Sequence, residues 1–199
     1  MKAAAIILSG GKSSRMGTNK ALLKINEKTN IERIVDRLKP LFDEMILVTN
    51  NPKQYEFLEL KTVTDHFPGM GPLAGVHAGL EASSYETNFI VACDMPFVLG
   101  ELARALVDKS SGYDAVIPVI FGKQHPLFAV FQKRLVPTVE QCLKEERLRV
   151  KNLLDQLHVR YVTENDLTEF DLARVFFNMN HPNEYEDALM WAKNEQEGK

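Results

Sequence analysis

Short apolar runs alternate along the chain with stretches in which hydrophobic residues recur every three or four positions. Residues 3–8, 45–49, 61–64, 89–93 and 115–119 are β-rich runs, and their spacing predicts strands. Between the first two lies Thr29-Asn30-Ile31-Glu32, a capping-box pattern, followed by Ile31, Ile34, Val35 and Leu38 on one helical face. Residues 73–82 and 99–109 predict two further crossover helices, each after a proline-containing loop. This alternation is that of an α/β domain with a mostly parallel sheet flanked by helices.

Beyond residue 119 the alternation weakens. Phe121-Gly122-Lys123-Gln124 predicts a hairpin connection into a strand over residues 125–131, which adds an antiparallel member to the sheet. A helix is expected from Pro137 through Glu146, a shorter one over 150–157 and an edge strand over 159–162. Residues 176–180 read as a short strand, on which Asn178 and Asn180 alternate and share one face. A last helix begins near Pro182.

Composition narrows the function classes. The chain has 199 residues, a formal net charge of −3 and 45% hydrophobic residues. That fits one domain able to bury roughly 70% of its unfolded surface without staples. Cys93 and Cys142 are far apart with no CxxC or Cys/His spacing, which indicates neither a disulfide framework nor a structural zinc and suits a reducing cytoplasm. The apolar opening is too short for a secretory signal, and no later run approaches the ~20 apolar residues of a membrane span. The near-neutral charge argues against nucleic acid as the principal partner.

The chemistry concentrates after the first strand, in Leu8-Ser9-Gly10-Gly11-Lys12-Ser13-Ser14-Arg15-Met16-Gly17-Thr18-Asn19-Lys20. Glycines let backbone N–H groups approach a phosphate, and Lys12, Arg15 and Lys20 add positive charge with no acid among them. The segment is an anion cradle but not a Walker A loop, because position 6 is Ile6 rather than glycine. The NKxD pattern fails at Leu22, and Gly69 with Gly71 does not make a dinucleotide fingerprint. Asp94 follows a buried strand, at the carboxyl end of the sheet where α/β folds place ligands and where one acid can hold Mg²⁺ beside substrate phosphates. Asp65 ends another strand, which makes it a turn residue or a site residue. No Ser-His-Asp or Cys-His arrangement is visible, and His66, His77, His158 and His181 lack metal-ligand spacing.

Taken in order, the LxGGxxxRMGxxK segment, Asp65, Gly71-Pro72-Leu73-Ala74-Gly75, Cys93-Asp94-Met95-Pro96, Gln124-His125-Pro126-Leu127 and Asn178-Met179-Asn180-His181-Pro182 resemble the molybdenum cofactor guanylyltransferases over nearly the whole chain. The resemblance implies a Rossmann-like fold of the nucleotide-diphospho-sugar transferase type. It implies one domain over 1–199, with a nucleotide-binding part over 1–119 and an acceptor-side part over 120–199. Leu8, Ser9, Gly10, Gly11, Lys20, Asp65, Gly75 and Asp94 are then expected at the nucleotide. Arg15, Lys20 and Asp94 carry catalysis, with Asp94 on Mg²⁺, and Gln124, His125, Asn178 and Asn180 serve the acceptor. Many members carry Asn where this chain has Thr49, with Asn50 and Asn51 following, and that departure bears on base selectivity.

The expected reaction is transfer of GMP from GTP to molybdopterin by in-line attack on the α-phosphorus, releasing pyrophosphate. Transient contacts with proteins that deliver the cofactor, and no nucleic-acid or membrane partner, complete the expectation. A cytidylyltransferase, or another nucleotidyltransferase of the same fold acting on a related phosphorylated acceptor, is one alternative, since fold does not set substrate. A non-catalytic GTP-binding module is the other.

Overall fold

Five consecutive residues without a polar side chain, Ala4–Leu8, form strand β1 and are buried on both faces, as expected of a central strand in a covered parallel sheet. The computed structural model describes residues 1–10 and 19–197. A 3₁₀ turn at Lys20–Leu22 leads into a hairpin of β2 (Lys24–Ile25) and β3 (Lys28–Thr29), whose turn residue Asn26 takes a positive φ. The chain continues through α1 (Asn30–Leu38), β4 (Glu44–Val48), a 3₁₀ segment at Pro52–Leu58, β5 (Lys61–Val63), α2 (Pro72–Ala82), β6 (Thr87–Ala92) and α3 (Gly100–Asp108). It ends with β7 (Ala115–Ile120), β8 (Lys123–Gln124), β9 (Phe128–Gln132), α4 (Val136–Lys144), α5 (Val150–Leu154), β10 (Val159–Thr163), α6 (Leu172–Val175) and α7 (Pro182–Glu197).

The main sheet runs β10-β7-β9-β6-β1-β4-β5, with β8 paired to β7. Strand β1 is parallel to both β4 and β6, β4 is parallel to β5, and β10 is parallel to β7; only β9 and the short β8 run antiparallel to their neighbours. Alternation along β1 sends Ala5 and Ile7 to one face and Ile6 and Leu8 to the other. Helices α1 and α3 cover the first face with Ile31, Ile34, Leu38, Leu102 and Leu106. Helices α2, α4 and α5 cover the second with Leu73, Leu80, Val139, Leu143 and Leu153. At Gly79 a Cβ would come within 2.5 Å of Ile6 Cγ2, so the absence of a side chain lets α2 lie directly on β1.

The capping box is present: Thr29 Oγ1 accepts from the Glu32 N–H, and the Glu32 carboxylate accepts from the Thr29 N–H at 2.8 Å. Two expectations are corrected. The strand proposed over residues 125–131 starts only at Phe128, because Pro126 has no N–H to give a ladder and the Phe128 N–H instead closes a turn onto the His125 carbonyl at 3.1 Å. The strand expected over residues 176–180 is absent; α6 ends at Val175, residue 176 is a turn, and the irregular segment after it is anchored by the Met179 N–H on the Asp94 carbonyl at 2.9 Å. A third, small cluster of Ile25, Phe97, Met179, Ala188 and Ala192 holds α7 and the β2–β3 hairpin together. Tyr185 reinforces it by donating its hydroxyl to the Lys24 carbonyl at 2.6 Å.

Candidate active site

The chain leaves β1 on one side towards β4 and β5, then returns to place β6 on the other side of β1. The carboxyl ends of β1 and β6 therefore flank a topological switch point, where neighbouring loops splay apart and leave a crevice. Ser9 and Gly10 follow β1, Cys93 and Asp94 follow β6, Thr49 and Asn50 follow β4, and Asp65 lies just beyond β5. Backbone bonds hold this edge closed behind them: Ser9 N–H to Val48 C=O at 2.9 Å, Cys93 N–H to Leu8 C=O at 3.1 Å, and Thr49 N–H to Val63 C=O at 2.9 Å.

Lys20 comes to Asp94 from the other side. Asn19 caps the 3₁₀ turn at Lys20–Leu22 by accepting from the Ala21 N–H, and the Lys20 ammonium donates to Asn180 Oδ1 at 3.0 Å. Burial holds the Asp94 carboxyl above its usual range, while Lys20 and, more weakly, Lys123 pull it down and Glu184 pushes it up. Desolvation and the charge of Asp94 push the Cys93 thiol up to about 12, so it is a neutral neighbour and not a nucleophile. Glu184, in the first turn of α7, accepts from the Asn180 and His181 N–H groups, fixing the entrance to that helix beside the site.

The structure thus brings Ser9, Lys20, Asp94 and Asn180 to one crevice. Asn178 lies half-buried on the same irregular segment. Gly11, Lys12 and Arg15 lie outside the described residues. Gly10 is exposed, and among the described residues none lies within 4 Å of where its Cβ would be, whereas Leu8 is buried and Gly75 packs on it, a Cβ there lying 3.3 Å from Leu8 Cδ2. Gln124 is exposed on β8, and His125 stacks at a tilt on Phe176 with ring centroids 4.4 Å apart. Burial, and secondarily Lys123, lower the His125 imidazole to about 4. Along the far side, Asp65 accepts from Asn50 Nδ2 at 3.0 Å and from the Phe67 N–H at 3.1 Å. Thr49 is buried, its hydroxyl accepting from the Asn51 N–H at 3.2 Å, so the amide next to Asp65 is that of Asn50.

Sequence reading missed Tyr55, Lys123 and Glu184. Lys123 and Glu184 lie in segments that pattern alone marks as a hairpin and a helix start, and only the tertiary structure sets their charges near Asp94. Among the described residues no three His, Cys, Asp or Glu side chains cluster as a metal site, and no helix is long and apolar enough to cross a membrane.

Residues 5–161 match the model of the MobA-like NTP transferase domain. The chain belongs to this family. Among relatives of the family member, a probable molybdenum cofactor guanylyltransferase of Pelotomaculum thermopropionicum is 36% identical over 200 aligned positions, covering 100% of this chain and 98% of the relative. A protein of the same description from Peptoclostridium acidaminophilum is 40% identical over 184 positions, covering 88% and 83% of the two chains. The crystal structure of molybdopterin-guanine dinucleotide biosynthesis protein A from Archaeoglobus fulgidus superposes with a TM-score of 0.83 at 27% identity, covering 96% of this chain and 99% of that one. The fold is also that of the 2-C-methyl-D-erythritol 4-phosphate cytidylyltransferase of Thermus thermophilus, with a TM-score of 0.67 at 17% identity over 97% of this chain and 100% of that one. These likenesses bear out the Rossmann-like fold of the nucleotide-diphospho-sugar transferase type.

Proposed function

We propose that this enzyme transfers GMP from GTP to the terminal phosphate of molybdopterin, forming molybdopterin guanine dinucleotide and pyrophosphate. The observation that carries the reading is the contact of Lys20 with Asn180 beside Asp94. It supports the reading because the segment around Asn180, which we assign to the acceptor, then meets a lysine which we assign to the triphosphate, in a chain whose relatives bear that enzyme's name.

An oxygen of the acceptor phosphate attacks the α-phosphorus, the α–β bridging bond breaks, and pyrophosphate leaves with the electron pair. Such a reaction needs positioning and charge neutralisation more than a protein nucleophile. Lys20 would move its charge from Asn180 to the triphosphate, and Arg15 would add another. The Asp65 carboxylate, already oriented by Asn50 and Phe67, is an acceptor for nucleotide N–H or hydroxyl donors. His125, neutral above about pH 4, offers the acceptor a hydrogen-bonding edge without adding charge.

Asp94 fits Mg²⁺: it is a hard oxygen donor, partly desolvated and incompletely balanced by Lys20, in a site where substrate phosphates complete the coordination. Asp94 would hold the ion, with Asn180 able to turn its amide oxygen to it once Lys20 engages the triphosphate and Asn178 assigned to the same side, and when bound the ion supplies charge neutralisation at the phosphates. We place the reaction in the cytoplasm, which suits the two free cysteines, and assign hand-over of the product to transient protein contacts.

The test is pyrophosphate release with Mg²⁺ and molybdopterin, comparing GTP, CTP and ATP, with acceptor omitted as the control. Release specific to GTP and dependent on molybdopterin is expected. A preference for CTP would reassign the base, the alternative that Thr49 keeps in view, and absence of release with all three would leave a binding module.

A further inference from the structure

Tyr55 lies in the 3₁₀ segment Pro52–Leu58, far in sequence from every motif that carries the phosphate chemistry. Its ring is part of the core packed beneath the sheet edge, and the residue is only 2% exposed. Its hydroxyl meets two partners: Ser9 Oγ at 2.6 Å and Asn19 Nδ2 at 2.8 Å. These are the residues on either side of positions 10–18, the glycine-rich stretch. Asn19 is further steadied by donating to Gln54 Oε1 at 3.2 Å, from the same 3₁₀ segment.

Each partner leads on to a charged group of the site. Asn19 uses its amide oxygen to cap the turn that begins with Lys20, so the same side chain is tied to Tyr55 through nitrogen and to the lysine-bearing turn through oxygen. Ser9 directly follows β1, whose last residue, Leu8, accepts the N–H of Cys93, the residue before Asp94, at 3.1 Å. A phenylalanine would fill the core as well as tyrosine does; only the hydroxyl is needed to join the two arms.

We propose that Tyr55 is a positioning residue for the triphosphate site, its hydroxyl clasping Ser9 and Asn19 so that Lys20 is held at a set separation from Asp94. The inference rests on the reading that this crevice takes a nucleoside triphosphate. Without the clasp Ser9 and Asn19 must be brought to their places by the ligand itself, and that ordering entropy weakens nucleotide binding. Chemistry on the bound complex is then little altered.

The experiment measures Mg·GTP dissociation constants by equilibrium dialysis without acceptor, alongside steady-state kinetics with molybdopterin, for wild type, Tyr55→Phe, Asn19→Ala and the double variant. Loss of two hydrogen bonds, one buried and one partly buried, predicts about a tenfold rise in the nucleotide dissociation constant and KM for Tyr55→Phe, with kcat and the molybdopterin KM changed by no more than about threefold. Asn19 is partly exposed, so Asn19→Ala breaks the link without touching the core, together with the cap on the Lys20 turn, and the two losses are expected to combine to clearly less than their product in the double variant. Nucleotide affinity within about twofold of wild type in Tyr55→Phe, a fall in kcat at constant KM, or strictly multiplicative losses in the double variant would each overturn the proposal. If wild type binds GTP without transferring GMP, the guanylyltransfer reading fails while the affinity ratios still judge the clasp. If it binds none of GTP, CTP or ATP, the clasp proposal falls with it.

Discussion

A carboxylate taken out of water next to one lysine keeps part of its desolvation cost, and Asp94 carries that cost in its raised pKa. Asp94→Asn removes the charge while keeping the shape and one of the two side-chain oxygens. The variant is expected to lose pyrophosphate release, and in metal-free buffer at neutral pH to melt no lower than wild type. A clear drop in melting temperature would show that Asp94 holds the fold. His125 makes stability depend on pH. Its folded pKa is near 4 against an ordinary 6.5, so as pH falls from 6.5 the unfolded chain takes a proton that the folded chain refuses. Stability present above that window is lost across it, and His125→Gln should flatten the melting profile between pH 6.5 and 4.5. Parallel profiles for the two proteins would put His125 in a solvated setting. The identities of Lys20, Asp94 and Asn180 were legible in the sequence as chemistry, but the 3.0 Å contact between Lys20 and Asn180 was not, because it joins two segments with most of the chain between them.

Elements whose cause is local were readable from local pattern. Helix α1 begins where Thr29 and Glu32 exchange hydrogen bonds, and its Ile31, Ile34, Val35 and Leu38 face the core. Thr29→Ala should cost about 1 kcal/mol, measured as a shift in denaturation midpoint at unchanged slope. No shift would mean that packing alone holds the first turn. Strands β1, β4, β6 and β7 were equally legible, since a run of apolar side chains has little choice but a covered sheet. The segment after α6 was misread for the complementary reason. Alternating amides over a few residues suit a strand or a loop, and it is the Asp94 carbonyl, accepting the Met179 N–H, that selects the loop. At β8 and β9 the proline at 126 was visible, yet its consequence depends on which backbone edge has to pair.

Across the whole molecule the sheet is the scaffold, and its order decides which loops meet. Strand β1 is paired on both sides along its full length and is covered by helices on both faces, whereas β5 and β10 are edges. Native-state hydrogen exchange should therefore be slowest in β1 and β6 and markedly faster in β5 and β10. Equal protection of edge and centre would contradict the topology. The amino-acid sequence alone settled the α/β class, the local caps and the glycine-rich cationic segment, since these follow from side-chain period, rotamer preference and charge within a few residues. Only the tertiary structure decided that β6 returns to the far side of β1, that Lys20 reaches Asn180, and that a core tyrosine ties Ser9 to Asn19. Those contacts close long loops, and their free energy comes from the packing of the whole sheet, which no local window contains.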